Sequence, residues 1–333
     1  MKLLITGGAG FMGSDFIRYW LEAYPEDEII NLDKLTYAGN LNNLREVADN
    51  HHYTFIKGDI GDGRLVDRLM DSVDVVVHFA AETHVDRSIR GAQVFLQTNV
   101  LGTQVLLDAA LKSKLKRFHH ISSDEVFGDM PFDSSEKFNE ETPYRPSSPY
   151  AASKAAADHL VRAYHRTYGL PITITNGSNN YGPYQFPEKF LARLITRALD
   201  NQSLPVYGEG KNIRDWLYVR DHTLAVERVL TQGKVGETYC VGGQSERQNL
   251  EVAKIILKLL GKSEEKVEFV KDRPGHDRRY ATDITKIKTT LSWQPQHTLE
   301  EWLEKTIMWY KDNEWWWRPL KQKAEELYQN WGK

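Results

Sequence analysis

The chain has little with which to cross-link itself and no excess of charge of one sign. Its single cysteine, Cys240, rules out an intrachain disulfide and fits a reducing, cytoplasmic compartment. A lone cysteine of this kind reads as a small apolar core residue. Lysine and arginine number 43 against 46 aspartate and glutamate, a net charge of −3. Nucleic acid is therefore not an expected partner, and any anionic ligand must be held by local groups. No stretch approaches the roughly 18 consecutive apolar residues that a membrane span needs. The N-terminus opens on the strand-like Lys2-Leu-Leu-Ile-Thr6, with no basic segment leading a long apolar one. Neither secretion nor a membrane span is expected. Internal repeats, low-complexity tracts and flexible linkers are lacking too. The tail carries Trp315-Trp316-Trp317, which reads as a packing anchor for C-terminal helices rather than a membrane contact.

A chain of 333 residues, 41% apolar, can bury a large core as one large or two modest domains. Its first half alternates short apolar runs with helical patterns. Strands are predicted at residues 2–6, 28–32, 53–57, 74–79 and 117–122, and helices at 14–24, 64–70 and 94–111. Val75-Val-Val77 is a continuous apolar run, as a strand covered on both faces requires. The alternation continues through a helix at 150–168 and a strand at 172–175. It implies right-handed crossovers and a Rossmann-type, doubly wound parallel α/β sheet. Beyond residue 177 the pattern loosens into turn-rich segments, with helices predicted at 187–201, 249–260 and 298–313. Residues 1–177 are expected to form the dinucleotide-binding domain. Residues 178–333 are expected to form mainly a smaller α/β substrate lobe, with the chain crossing back between them.

The turn Gly7-Gly-Ala-Gly-Phe-Met-Gly13 follows the first strand and opens the first helix. Glycines at 7, 10 and 13 let the turn tighten and let backbone approach a pyrophosphate, while the helix N-terminus offers free N–H groups. Asp33 ends the second strand about 20 residues later, where a carboxylate accepts from an adenosine ribose and repels a 2′-phosphate. That favours NAD over NADP, a choice tempered by the neighbouring Lys34. Asp59-Ile60 after the third strand, beside the adenine, and Ala80-Ala81-Glu82-Thr83 after the fourth, along the cofactor's middle, sit at strand carboxyl ends, where such folds bind ligands. No metal is expected.

Tyr150 and Lys154 stand four apart on a helix and share one face. The ammonium would lower the Tyr150 phenol from its usual pKa of about 10 toward the working pH. Ser123, at the end of a strand, would hydrogen-bond the hydroxyl being oxidised. Asp124 and Glu125 follow it directly. Oxidising a sugar carbon acidifies the neighbouring C–H; a base must then take that proton and an acid must protonate the departing hydroxyl. Adjacent carboxyls can divide this work if their surroundings separate their pKa values, with Glu125 as base and Asp124 as acid.

With these residues the chain resembles the extended short-chain dehydrogenase/reductases, the NAD-dependent sugar-nucleotide epimerases and dehydratases. Among them it is most similar to the dTDP-glucose 4,6-dehydratase family. The similarity spans nearly the whole chain. It rests on the glycine turn, on residues 33–40, on Ala80-Ala-Glu-Thr-His-Val-Asp-Arg-Ser88, on Ser123-Asp-Glu125 and on Tyr150–Lys154. Residues 178–189, Arg214-Asp-Trp216 and Asp272-Arg-Pro-Gly-His276 complete it. The resemblance implies a lyase that oxidises C4 of dTDP-glucose, eliminates water across C5 and C6, and returns the hydride to C6. It implies a tightly held NAD and a place in deoxysugar biosynthesis, of rhamnose among others. It also assigns further cofactor contacts to Phe11, Met12, Lys34, Leu35, Thr36, Thr98 and Asn180, alongside Tyr150 and Lys154. Near the sugar, substrate contacts fall to Thr83, Asn179, Lys189 and Phe190 with the Ser123–Glu125 segment. At the nucleotide they fall to Pro205, Val206, Tyr207, Arg214 and Asn249, and to Asp272, Arg273 and His276. Arg214 and Arg273 can fork onto a diphosphate.

Three positions depart from the family's pattern: Ser123 where Thr is usual, Phe190 where Leu follows the lysine, and Cys240 where Asn precedes Val-Gly-Gly. The resemblance also implies a homodimer, joined by a four-helix bundle of residues 94–111 and 150–168 from each subunit. Alternatives are a UDP-sugar 4-epimerase, dehydratase or decarboxylase on the same fold, or a non-catalytic NAD-binding regulator. Asp124 discriminates against the former, and the retained Tyr150 and Lys154 against the latter.

Overall fold

The computed structural model describes residues 1–328. Six strands of the first half are parallel: β1 (Lys2–Thr6), β2 (Glu28–Asp33), β3 (Tyr53–Lys57), β4 (Val75–His78), β5 (Arg117–Ser123) and β6 (Ile172–Gly177). A seventh strand, Thr238–Val241, comes from the second half and pairs with β6, Cys240 lying opposite Asn176. From that added edge the order runs through β6, β5, β4, β1 and β2 to β3. The order reverses at β1 and β4, which opens a crevice at their carboxyl ends.

Helices on both faces bury the sheet. On one side lie α1 (Phe11–Ala23) and, from the second half, Val219–Gln232. On the other lie α2 (Gly63–Met70), α5 (Thr103–Lys112) and α6 (Pro149–Tyr168); α3 (Val85–Arg90) and α4 (Gln93–Phe95) lead into α5. The pleat sorts alternate residues between two cores. Leu3, Ile5, Val75 and Val77 meet Phe16, Ile17 and Trp20. Leu4, Val76, Phe118 and Ile174 meet Leu106, Leu107 and Val161. Helix α6 is sharply bounded: Ser148 caps its first turn, Pro149 sits where no amide partner is needed, and Gly169 ends it with φ of 73°.

The predicted helix at 94–111 differs. Residues Leu96–Gly102 form a π-helix between α4 and α5. Asn99 turns inward there, donating to Glu82 O (3.0 Å) and Ser153 Oγ (2.8 Å) and accepting from Glu82 N (2.8 Å). A wider turn brings that amide to the sheet's carboxyl ends, a use typical of π-turns at functional sites. Gln93–Lys112 is long and apolar enough to cross a membrane by length and composition alone. Its inner side, with Leu106, Leu107 and Ala110, packs into the core.

The second half contributes β7 (Asn179–Tyr181), β8 (Leu204–Tyr207), β9 (Ile213–Tyr218), the added sheet strand β10 (Thr238–Val241), β11 (Glu246–Gln248) and β12 (Val267–Val270). They build a three-stranded sheet, β11-β9-β7, and a two-stranded one, β12-β8. Helices α7 (Phe190–Leu199), α8 (Val219–Gln232), α9 (Asn249–Leu259), α10 (Thr285–Leu291), α11 (Leu299–Asp312) and α12 (Glu314–Tyr328) surround them. The predicted second lobe runs to Lys333, whose last five residues, 329–333, lie outside the described residues.

The tryptophan triplet opens α12. Trp316 donates to Asn43 Oδ1 (2.8 Å) and Trp317 to Tyr310 O (2.6 Å); both are buried, and Trp315 is exposed. The first of these bonds ties the C-terminal helix to the segment after β2. Trp317→Ala is expected to lower unfolding stability by about 3–5 kcal/mol, read as a shift in the denaturant midpoint, whereas Trp315→Ala leaves it nearly unchanged.

Candidate active site

The site begins where β1 ends. Gly7 has φ of 71°, and a Cβ there would stand 2.6 Å from the Ala80 backbone; one on Gly13 would stand 2.5 Å from Gly7 O. Only glycine lets the turn pass so close to the end of β4 and still open α1. Asp33 organises this turn from β2, accepting from Ala9 N (2.9 Å) and Leu35 N (2.8 Å). Burial raises its pKa against those two amide bonds. Leu35 has φ of 54°, and its backbone amide donates to Asp33. Lys34 and Asp59 are ion-paired at 2.7 Å across the ends of β2 and β3.

One continuous cleft joins this turn to the reacting residues. Gly10, Phe11, Met12, Thr36, Ile60, Ala80, Ala81 and Thr98 line its dinucleotide end. Thr83, Ser123, Asp124, Glu125, Tyr150, Lys154, Asn179, Asn180, Lys189 and Phe190 line the other. The fold fits a dinucleotide: a cradle that a Cβ would fill, a carboxylate at the end of β2, and an unpartnered buried Asn179 Oδ1. Asn180 is fixed by Ser178 O (2.9 Å) and His222 Nδ1 (3.1 Å).

Ser123 ends β5 and caps the short turn Asp124–Phe127, accepting from Glu125 N at 3.2 Å. That turn points both carboxyls inward. Asp124 is buried and its Oδ2 has no hydrogen-bond partner. Burial, then Glu125, then Asp215 push its pKa well above the ordinary carboxylate value. Burial raises Glu125 too, but Arg273, Lys189 and Arg214 pull it back. The two neighbours therefore differ in kind: Asp124 is the stronger holder of a proton, and Glu125 faces the cations.

One expectation is reversed. Lys154 was expected to lower the Tyr150 phenol, yet that pKa is pushed up, first by burial and then by Glu125, with a hydrogen bond from Ser123 opposing. The Lys154 ammonium instead donates to Ile121 O at 2.6 Å, and burial lowers its own pKa to about 8. The helical spacing puts both residues on one face; a backbone carbonyl of β5 takes the ammonium.

The nucleotide end forms a separate group beyond the cleft walls. Pro205, Val206 and Tyr207 lie on β8, with Val206 wholly in the core. Tyr207 donates to Asp86 (3.0 Å) and its ring meets His276 edge-on at 6.0 Å. Arg273 pairs with Asp86 at 3.5 Å and keeps a buried Nε without a hydrogen-bond partner. Asp272 accepts from His276 at 2.6 Å. Asn249 opens α9 with its Oδ1 buried and unpartnered. Arg214 differs from its expected free fork. Its terminal nitrogens already donate to Ile213 O (2.7 Å) and Asp277 O (2.9 Å), and the guanidinium stacks on Tyr280 at 4.2 Å. Phe190 stacks on Trp216 at 6.0 Å, which gives the larger ring a place.

Sequence reasoning passed over several residues here. Tyr37 lines the cleft, beside Glu82 of the expected segment 80–83. Arg87 lies 3.6 Å over the Tyr37 ring and forks onto Glu188 at 2.8 and 3.0 Å. Lys189 then donates to Thr83 O at 2.7 Å. Arg87 and Glu188 each stand inside a quoted motif, but their pairing spans 101 residues and no local pattern shows it.

Known proteins match this chain along its length. The family model described as GDP-mannose 4,6 dehydratase matches residues 4–306. A dTDP-glucose 4,6-dehydratase of Xanthomonas campestris pv. campestris is 53% identical, with 94% of each chain covered. One of Escherichia coli is 48% identical over 99% of this chain and 98% of its own. A Streptomyces venezuelae dTDP-glucose 4,6-dehydratase solved with NAD bound is 49% identical, covering 96% of this chain and 100% of its own, with a TM-score of 0.94. A Bacillus cereus UDP-glucuronic acid 4-epimerase, solved with its nucleotide sugar and NAD, is 30% identical over 94% and 99%, with a TM-score of 0.88.

The contrast within the acid pair can be measured. Asp124 is expected to keep its proton to higher pH than an ordinary aspartate, because burial and the neighbouring Glu125 and Asp215 raise its pKa. Infrared spectra should show a protonated-carboxyl band that Asp124→Asn removes; a band unaffected by that substitution would contradict the assignment.

Proposed function

The chain belongs to the GDP-mannose 4,6 dehydratase family, alongside the dTDP-glucose 4,6-dehydratases it matches, and from that premise we propose that it is the hydro-lyase converting dTDP-glucose to dTDP-4-keto-6-deoxyglucose. The observation that carries this reading is the pair of consecutive carboxyls lining the cleft with Tyr150 and Lys154, one favouring its proton and the other facing cations. A plain oxidation or epimerisation has no need of such a pair.

NAD, when bound in the cleft, takes a hydride from C4 of the sugar and later gives one to C6. The glycine turn and Asp33 hold its adenosine and pyrophosphate. Tyr150 accepts the C4 hydroxyl proton, with Ser123 as hydrogen-bond partner of that hydroxyl. Its raised phenol needs a cation to become a base, and Lys154 is the nearest candidate on its own helix face. The resulting ketone acidifies C5. Glu125 takes the C5 proton, its charge favoured by Arg273, Lys189 and Arg214. Asp124 gives its proton to the departing 6-hydroxyl, so the water leaves neutral. As the hydride returns to C6, C5 takes back a proton from Glu125, and the proton that Tyr150 took from the C4 hydroxyl passes through solvent to Asp124, so that all three groups return to their starting states.

Residues 1–177 hold mainly the dinucleotide, and 178–333 mainly the nucleotide sugar. Arg273, with its unpartnered Nε, is the cation best placed for the diphosphate. The enzyme acts as a cytoplasmic homodimer through residues 94–111 and α6. Support for this comes from the outward Val94, Leu96 and Leu101 of the first stretch, all strongly exposed apolar side chains. Its product opens routes to deoxysugars such as rhamnose.

Incubation with dTDP-glucose and UDP-glucose side by side tests the function. A 4-keto-6-deoxy product from dTDP-glucose, seen by its absorbance in alkali, is expected; a 4-epimer formed without loss of water would overturn the reading. Tyr150→Phe should retain NAD and lose turnover roughly a hundred- to ten-thousand-fold. In Glu125→Gln, oxidation should proceed and elimination stop, so that reduced-nicotinamide absorbance builds up without product. Normal dehydration by that variant would remove Glu125 from its role.

A further inference from the structure

Helix α6 extends the reacting residues below the substrate. Tyr150, Lys154, Asp158 and Arg162 recur at every fourth position, so they form one ladder along a single side of the helix. The upper two rungs are used above and the lower two are not. Asp158 is wholly buried, and a carboxylate out of water demands partners. The elements packed on it supply them. Ser122 Oγ of β5 donates to its Oδ2 at 2.8 Å, Tyr144 at 2.7 Å and Asn176 Nδ2 of β6 at 3.3 Å. His120 Nε2, also of β5, stands 3.2 Å from Oδ1. Arg162 donates to the Tyr144 hydroxyl at 2.6 Å and to Thr238 of β10 at 3.2 Å.

The charges in this network reduce to three. Burial lowers His120 to about 4 and His78, whose ring lies 5.2 Å from it on β4, well below its usual value; both imidazoles are neutral. Asp158 is raised by burial but held below the ordinary carboxylate range by His120, Lys154 and Arg162. Lys154 has a single hydrogen bond, to the carbonyl of Ile121. Burial works to strip its proton, and Asp158 is the carboxylate that opposes this.

We propose that Asp158 is a positioning residue for the oxidation step: one helical turn below Lys154, and balanced on its far side by Arg162 through Tyr144, it keeps the buried Lys154 amine protonated. The inference deepens the reading of Tyr150 and Lys154 as the oxidising pair and rests on it. A neutral Lys154 cannot stabilise a Tyr150 phenolate, which burial and Glu125 already oppose. The rate of oxidation therefore falls once Lys154 loses its proton, and the charges on Asp158 and Arg162 set where that happens.

The test is the pH dependence of kcat with dTDP-glucose for the NAD-loaded dimer and two variants. Asp158→Asn should move the alkaline limb to lower pH by about one unit, with KM and NAD content changed less than about twofold. Arg162→Gln removes the opposing cation and should move the same limb to higher pH. A purely structural network would lower activity in both variants without shifting the limbs apart. An unmoved limb in folded Asp158→Asn, or shifts of the same sign in both, overturns the proposal. Should Asp158→Asn not fold, an unmoved or lowered limb in Arg162→Gln overturns it alone. Retained turnover in Tyr150→Phe would instead remove the premise, and that outcome is distinct from a limb that fails to move.

Discussion

Two carboxyl groups on consecutive residues, Asp124 buried and Glu125 half-buried in the cleft wall, cannot both be charged without compensation. The site depends on how this is resolved. Compensation is unequal: Arg273, Lys189 and Arg214 act on Glu125, while at Asp124 burial, Glu125 and Asp215 outweigh Arg214 and a hydrogen bond from Ser123. Asp215 is itself buried on β9, with its pKa pushed up to about 6. The cations all come from the second half of the chain and the acid pair from the first. The acid–base asymmetry is thus a property of the two halves together, and neither half has it alone.

Much of the fold was legible because the central strands are driven by burial on both faces. Val75-Val-Val77 and the alternating helical patterns need no tertiary information to be read. The glycine turn was legible because close backbone approach admits few other residues, and Ser123-Asp-Glu125 with Tyr150 and Lys154 because their neighbours in sequence are their neighbours in space. What escaped was non-local. Strands β7 and β11 are three residues each and gain their hydrogen bonds from β9. The π-turn at Leu96–Gly102 follows from where Asn99 finds partners. The direction of the Tyr150 shift was misjudged because helical spacing says who shares a face, and not which carbonyl an ammonium prefers.

Helix α3 shows how the reacting end and the nucleotide end are held in step. Its Asp86 receives Tyr207 and Arg273, and the adjacent Arg87 holds Glu188, the residue before Lys189. A short helix rooted in the dinucleotide half thus grips three separate segments of the other half. Charge drawn onto Arg273 by a diphosphate would be felt by Asp86, one residue from the grip on the segment that carries Lys189.

Strand β10 hydrogen-bonds β6 from beyond the point where the substrate-binding segments begin. A polypeptide cut after Gly177 would leave the edge of β6 bare, with Ile174 to Gly177 exposed as an open template for association. The fold has therefore traded modularity for integration: its sugar-recognising portion cannot be exchanged as a cassette between relatives unless residues 238–241 travel with the receiving half.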